Sequence, residues 1–410
     1  MSEKNAGSKM ALTGIRIVDF GAGGIDPITT STLADFGAEV IKVESYTKLD
    51  FMRTGEFFAG EARDADHNFG FSRYNQNKFG ALINLKHPKG VALAKKLVSV
   101  SDVVIQNFRV DVIRRLGLAY EQLQEVKPDI IYLNSSFGGQ TGPYRGFGGQ
   151  GFIMAALAGI DDVTGWPDRG PVSPGTAFAD HYLPFLWATV IIAALEYRRR
   201  TGQGQFIDAS SFEACLDVLD TAILDYNVNQ HVQTRRGNRH QAAAPHGVYR
   251  CQGEERWCAI AVFNDAEWRS FGQVIGNPDW TTQARFATLL GRLEHADELD
   301  RLVESWTSGQ KAEEVVLKLQ AAGVAAGVVK NVKDSYVDPQ LAHREHYWQP
   351  EQPGWEAFTF EAPSARLSKT PARFMRPAPL LGEHNDYVFF ELLKMSPEEY
   401  AQLVEEKVIY

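Results

Sequence analysis

The first 45 residues alternate between strand-like and helix-like patterns. An apolar strand at 14–20 runs into a glycine turn, a helix-like segment follows at 29–36, and a second strand closes at 39–44. Strand, helix and strand in so short a stretch demand a right-handed crossover and a parallel sheet. Further strand candidates at 80–85, 103–106 and 129–134 alternate with helix-like segments at 89–99 and 111–126, so the N-terminal third reads as a doubly wound α/β layer.

Residues 136–151, SFGGQTGPYRGFGGQG, hold seven glycines and one proline, too many for a regular element, and read as a loop with unusual backbone freedom. A long helix at 181–200, a strand at 205–209 and a helix from 211 toward 226 complete a large domain at 1–228. The polar, basic stretch within 229–245 reads as a linker. A hairpin at 247–251 and 257–263, with helices at 265–275 and 297–308, makes a smaller α+β domain at 246–335. The remainder, 336–410, is proline-rich with one amphipathic helix and reads as a strap returning to the large domain of its own or a partner chain. Two domains agree with 410 residues, too many for one ordinary core, and 44% hydrophobic residues suffice to fill both.

The apolar run 183–195 contains Pro184 and falls short of the ~20 residues of a spanning helix, so it is expected in the core and no membrane segment is expected. Cys215, Cys251 and Cys258 form no C-x-x-C pair and leave one thiol over, and the polar N-terminus lacks a secretory pattern; both suit a reducing cytoplasm. The formal charge of −9 argues against a general nucleic-acid binder. An anionic ligand must find a local positive patch, and Lys42, Lys78, Lys86, Arg109, Arg114 and Arg115 cluster around strand ends, where open α/β sheets bind ligands. Together these cations suggest a polyphosphorylated ligand.

Gly21-Ala-Gly23-Gly24-Ile-Asp26 between a strand and a helix imitates a dinucleotide fingerprint, but Asp26 replaces the third glycine and would face the pyrophosphate. P-loop, zincin and serine-hydrolase motifs do not occur in the sequence. The pair His343 and His346 lies in a charged, helix-like context with no third ligand, so no metal site is expected. Asp180 precedes a long apolar helix. Spacing favours a plain N-cap there; the sharper reading is a nucleophile whose charge is held by helix dipoles beside the glycine-rich loop.

The segments Leu12-Thr-Gly-Ile-Arg-Ile-Val-Asp-Phe20, Phe36-Gly-Ala-Glu-Val-Ile-Lys-Val-Glu44, Asn77-Lys78 with Leu85-Lys86, Asn107-Phe108-Arg109, Phe137-Gly-Gly-Gln-Thr-Gly-Pro-Tyr144, Ala179-Asp180, Arg200-Thr-Gly-Gln-Gly-Gln205 and Pro379-Leu-Leu-Gly-Glu-His384 run in order through nearly the whole chain. In this it resembles the class III CoA-transferases, the formyl-CoA and carnitine CoA-transferase type. The resemblance implies a Rossmann-like large domain, a smaller domain, and a homologous partner in a linked-ring homodimer or heterodimer, or a heterotetramer. It implies an acyl-CoA and a small carboxylic acid as substrates, with no tightly bound cofactor. By position, Gly24, Ile25, Ile83, Asn84, Leu85, Lys86, Asn107, Phe108, Arg109 and Arg115 would contact CoA, and Asp180 would be the nucleophile that passes through a mixed anhydride and an aspartyl-CoA thioester.

There are departures from the family pattern. The polar side chain of the first glycine turn is absent, the arginine after the second strand is Ser45 with Lys48 nearby, and Gly237-Asn-Arg-His240 stands where formyl-CoA transferase has a tetraglycine flap. Within the family the chain looks most like the benzylsuccinate CoA-transferase branch, which takes CoA from succinyl-CoA and works as two homologous subunits. Phe57, Phe58, Phe69, Phe71 and Tyr74 would then line a pocket for a phenyl ring. The alternatives are an α-methylacyl-CoA racemase, which His181 beside Asp180 admits, and a non-catalytic subunit of a heteromeric transferase.

Overall fold

The computed structural model describes residues 9–55, 64–349 and 359–410. The chain divides into two compact units, one of Met1–Asp161, Ser173–Val232 and His343–Tyr410, the other of Asp162–Val172 and Gln233–Ala342. The expected linker is therefore no free connector. From Gln233 onward it belongs to the second unit, where the Gly237 N–H donates to the Gly165 carbonyl at 2.8 Å.

Six parallel strands form the sheet of the first unit: β1 (Arg16–Asp19), β2 (Glu39–Glu44), β3 (Lys78–Leu82), β4 (Val103–Gln106), β5 (Ile131–Ser136) and β6 (Gln205–Ser210). Their order is β3-β2-β1-β4-β5-β6, so the winding reverses between β1 and β4 and a crevice opens beyond the C-terminal ends of those two strands. Side chains alternate to feed two cores, which is why these strands are apolar almost throughout. Ile17, Ile105 and Leu133 pack with helices α1 (Ile25–Asp35), α4 (Gly151–Ala158) and α5 (Phe178–Thr201). Val18, Val104 and Tyr132 pack on the other side with helix α3 (Pro88–Ser99) and with Val388, Phe389 and Ile409 of the tail. The remaining helix that matters to the site is α2 (Phe69–Asn75).

Several boundaries differ from the sequence reading for local reasons. Helix α1 begins at Ile25, four residues early, because Pro27 falls in the first turn where a missing N–H costs nothing. The segment 111–126 is two short helices, Val112–Arg115 and Tyr120–Gln124, parted by Gly117 at φ +80. The glycine-rich loop ends one residue before α4 starts at Gly151. The tail is stitched onto edge strand β3: Gly80 and His384 exchange two hydrogen bonds, the Asn385 side-chain Oδ1 accepts from the Leu82 N–H, and Asn77 holds Arg373, Met375 and Arg376. An open sheet edge is thereby covered.

In the second unit an antiparallel sheet of β7 (His246–Arg250), β8 (Trp257–Ala261) and β9 (Ala325–Val329) packs with the helices Asp265–Val274, Ala296–Thr307 and Ala312–Ala321 around Trp268, Phe271, Phe286 and Leu299. Strand β9, AAGVV, carries no polar-apolar alternation, which is why the sequence did not declare it.

Lys42 and Lys78, suggested above as phosphate ligands, are fully buried and committed elsewhere. Lys78 donates to Asp19, to the Pro27 carbonyl and to Asn75 at 2.8–2.9 Å. Lys42 donates to the Gly21 carbonyl and pairs with Asp50 at 3.1 Å. Burial alone would push the Asp19 carboxyl up, but Lys42, Lys78 and the Thr30 hydroxyl overcome it and hold it below the ordinary aspartate value.

Asp35, at the end of α1, is pushed up to about 7 by burial, although the amides of Gln76 and Asn77 hydrogen-bond it. The native state then holds a proton that the unfolded chain has lost, so this group's contribution to stability falls as pH rises from about 4 toward 7 and levels off above it. In Asp35→Asn the melting temperature relative to the wild type should climb through that window and then flatten, as differential scanning fluorimetry across pH would register.

Candidate active site

The crevice predicted by the strand order is a cavity of about 900 Å³ in the first unit, within the usual range of small-molecule sites. Its floor is the turn after β1, and three contacts fix that turn. The Gly21 N–H donates to Asp19 at 2.9 Å, the Gly23 N–H donates to Asp50 at 3.0 Å, and Ala22 exchanges two hydrogen bonds with the Asn107 amide at 2.7 and 3.0 Å. The last of these ties the β1 and β4 ends together across the switch point.

The turn is not a dinucleotide cradle. Gly23 sits at φ +82 with the Phe51 ring against it, where a Cβ would meet the ring at 2.3 Å. Asp26 points inward from the first turn of α1 and is fully buried; burial first and the Asp19 charge second push its carboxyl well above the ordinary value. It does not face a ligand phosphate, as the sequence reading expected.

Asp180 is the third residue of α5 and not its N-cap, which is Ala177 with no side-chain cap. Its carboxylate is therefore free to face the cavity. Pro184 has no N–H to give to the Asp180 carbonyl four residues back, so the first turn of α5 lacks one of its bonds. The carboxylate lies between two further helix starts. A Cβ on Gly24, the N-cap of α1, would stand 3.2 Å from the Asp180 Cβ, and one on Gly151, the first residue of α4, would stand 2.9 Å from its Cγ. Burial pushes the Asp180 carboxyl above its ordinary value, while the His181 charge and a hydrogen bond from the Gly151 N–H pull the other way. Three helix N-termini thus meet at one carboxylate, which is anion stabilisation by backbone dipoles. The nearby thiol of Cys215 is pushed up to about 11, by burial and then by Asp180 and Asp217, so it stays protonated near neutral pH.

The His181 Nδ1 lies 3.1 Å from the Ala177 carbonyl and its Nε2 lies 3.3 Å from the Tyr74 hydroxyl; both residues line the cavity. Elsewhere on the wall stand Lys48, Lys86 and Arg109, none in an ion pair among the described residues. Lys48 sits over the Phe108 ring at 5.3 Å, and Gly148 of the glycine-rich loop packs on the Arg109 guanidinium.

Of the residues singled out from sequence, Gly24, Ile25, Ile83, Leu85, Lys86, Asn107, Phe108, Arg109 and Asp180 all line the cavity. Two do not. The Asn84 amide donates to the Lys407 carbonyl at 3.1 Å and accepts from the Lys86 N–H at 3.1 Å, so it shapes the loop. Arg115 is exposed on the short helix Val112–Arg115. Phe57 and Phe58 lie outside the described residues, and among the described members of the expected aromatic set only Tyr74 reaches the cavity: Phe69 is exposed and Phe71 is buried under the Arg53 guanidinium. Phe51, Phe108 and Phe147 supply aromatic wall instead. Gly151 was passed over as the last residue of a loop; its place just before the apolar run FIMAALA was the available signal. Among the described residues no cluster of three metal-ligating side chains occurs.

Residues 12–385 match the model of CoA-transferase family III. The chain is 34% identical to the succinyl-CoA–D-citramalate CoA-transferase of Chloroflexus aurantiacus, over 97% of this chain and 98% of that one. It is 32% identical to the succinyl-CoA–L-malate CoA-transferase alpha subunit of Chloroflexus aurantiacus, over 100% and 95%. A CAIB/BAIF family protein from Brucella suis superposes with a TM-score of 0.86 at 30% identity, covering 94% of this chain and 100% of that one.

A methyl group at position 151 would stand 2.9–3.0 Å from the Asp180 carboxylate atoms, closer than a Cβ tolerates. Gly151→Ala is therefore expected to rotate the Asp180 side chain out of its place between the two helix starts, while the sheet is undisturbed. A crystal structure of the variant checks this; an unmoved carboxylate would show that Gly151 is there for the backbone alone.

Proposed function

This chain belongs to CoA-transferase family III and is an acyl-CoA:carboxylate CoA-transferase, and we propose that it moves CoA from succinyl-CoA to a dicarboxylic acid through covalent intermediates on Asp180. The observation that carries the reading is the Asp180 carboxylate, desolvated at the head of a cavity and held by the Gly151 N–H. In water a carboxylate is a poor nucleophile; desolvated and aimed at a thioester carbonyl it is an effective one.

An Asp180 oxygen attacks the succinyl carbonyl and the C–S bond breaks, giving a mixed anhydride and CoA thiolate. The thiolate returns to the Asp180 carbonyl carbon, releasing succinate and leaving an aspartyl-CoA thioester. The acceptor carboxylate then attacks that thioester, and the thiolate, attacking the acceptor's acyl carbon, gives the new acyl-CoA and frees Asp180. Each tetrahedral oxyanion forms beside the starts of α1 and α4. Lys48, Lys86 and Arg109 would hold the CoA phosphates, with Phe108 and Ile83 beside the cofactor's apolar parts. The loop ending at Gln150 would keep water from the anhydride.

The acceptor class follows from the donor: D-citramalate and L-malate, named for the relatives, are dicarboxylic acids like succinate, and benzylsuccinate is a benzyl-substituted member of the class. We place the enzyme in the cytoplasm, where its three buried free thiols stay reduced. The expected partner is a homologous chain in an interlocked dimer. Apolar residues left exposed on α5 and on the helix Asp220–Asn229, among them Phe185, Ile192, Leu224 and Val228, support a covered surface, and one relative is itself an alpha subunit.

Wild-type enzyme incubated with succinyl-CoA and then hydroxylamine should carry a modification on the Asp180 peptide by mass spectrometry. Asp180→Ala should lose it together with at least ~10³-fold in kcat. Full activity in the variant, or α-proton exchange without any acceptor acid, would overturn the reading, the second in favour of a racemase. Because burial raises the Asp180 carboxyl and only the ionised form attacks, the acid limb of kcat/KM should lie above the ordinary aspartate range. Sedimentation should show a dimer or larger for the purified chain alone or with a co-expressed homologue, and Leu224→Asp with Val228→Asp should shift it toward monomer.

A further inference from the structure

We infer that Tyr74 and His181 together form the subsite for the free carboxylate of a dicarboxylic acyl group, and that this one subsite serves donor and acceptor in turn. The inference rests on the transfer reading above and names its specificity element. In a double displacement on one aspartate, the leaving acyl group and the entering one must each bring a carboxyl carbon to the same Asp180 oxygen. They therefore occupy the same place successively, and one binding group can select both.

For a succinyl group the second carboxylate lies two methylenes from the reacting carbon, about 5 Å away. The polar side chains near Asp180 on the cavity wall include two that suit it. His181 is the next residue along α5 and acts on the Asp180 charge, and the Tyr74 hydroxyl feels that charge in turn. Their rings meet edge to face at 6.2 Å. Because a carbonyl only accepts, Nδ1 is the ring nitrogen that donates to Ala177, which leaves Nε2 to meet the Tyr74 hydroxyl. At 3.3 Å this is a long hydrogen bond, and it is the one the hydroxyl makes among the described residues.

An arriving carboxylate is a better acceptor than the ring. The Tyr74 hydroxyl turns to one oxygen, and the His181 ring edge, 3.3 Å from that hydroxyl, faces the other. The further charges that act on Tyr74 are Arg73 and Glu361, and these are paired with each other at 2.8 Å, so neither competes for the ligand. Lys42, on the same wall, is held by Asp50 and the Gly21 carbonyl. A monocarboxylic acyl group leaves the pair bonded to itself and gains nothing from it.

The test compares succinyl-CoA with butyryl-CoA as donors, and L-malate with butyrate as acceptors, for wild type, Tyr74→Phe and His181→Leu. The kcat/KM ratio of dicarboxylic over monocarboxylic substrate should fall about tenfold or more in each variant, mainly through KM and on both the donor and the acceptor side. Formation of the Asp180-CoA thioester from butyryl-CoA, followed by mass spectrometry, certifies that each variant retains a working site. A ratio unchanged in both variants, or an equal loss on both substrate classes, overturns the subsite alone. Failure of the wild type to form any Asp180 thioester overturns the transfer reading itself.

Discussion

Beneath the active-site floor lies a chain of buried charges, Asp50, Lys42, Asp19 and Lys78, and the site depends on it. Burying four ionisable groups is costly unless each is paired and hydrogen-bonded, and here each is. Asp19 holds the Gly21 N–H, Asp50 holds the Gly23 N–H, and Lys42 holds the Gly21 carbonyl, so buried charge clamps the turn after β1 alongside the Asn107 amide. Lys78 extends the clamp to the Pro27 carbonyl in α1 and to Asn75 at the end of α2. The start of α1 and the helix that carries Tyr74 are thus positioned by the same few groups. Removing one partner would leave an uncompensated buried charge under the turn after β1, an effect of several kcal/mol by analogy with other buried pairs.

The carboxylate at Asp180 uses a different device. Gly24 and Gly151 matter there as space: without side chains the N-termini of α1 and α4 can come within van der Waals reach of Asp180, which itself belongs to the first turn of a third helix. Helix starts carry partial positive charge and outward-facing N–H groups, so they hold an anion without adding a titratable group of their own.

The parallel sheet was readable from apolar periodicity and glycine turns, because strands buried on both faces leave an unmistakable signature, whereas the switch point between β1 and β4 came from the strand order. The site was readable in part. Lys86 and Arg109 follow strand ends and line the cavity, as their positions suggested; Lys42 and Lys78 lie within strands, and a cation there must be internally paired. Sequence order does not reveal that pairing, since Asp19, Lys42 and Lys78 come from three separate strands. The reading of Asp180 as an N-cap failed for a local reason: the helix begins two residues before it, and no propensity distinguishes a cap from the third position when both favour aspartate. The Tyr74 and His181 contact spans 107 residues and could come only from the fold.

Under the proposed function an acidic chain binds a polyanion and also employs a carboxylate as nucleophile, and these conflict, because cations that attract the first would lower the pKa of the second and blunt it. The geometry separates the two demands. Lys48, Lys86 and Arg109 lie on the cavity wall, yet none is among the groups that set the Asp180 titration, which answers to burial, to His181 and to the Gly151 N–H. In that reading, attraction of the ligand is left to full charges that act at a distance, while the Asp180 carboxylate is held by dipoles whose influence fades within a turn of helix. The Asp180 carboxyl therefore keeps a raised pKa in a cavity lined with lysine and arginine.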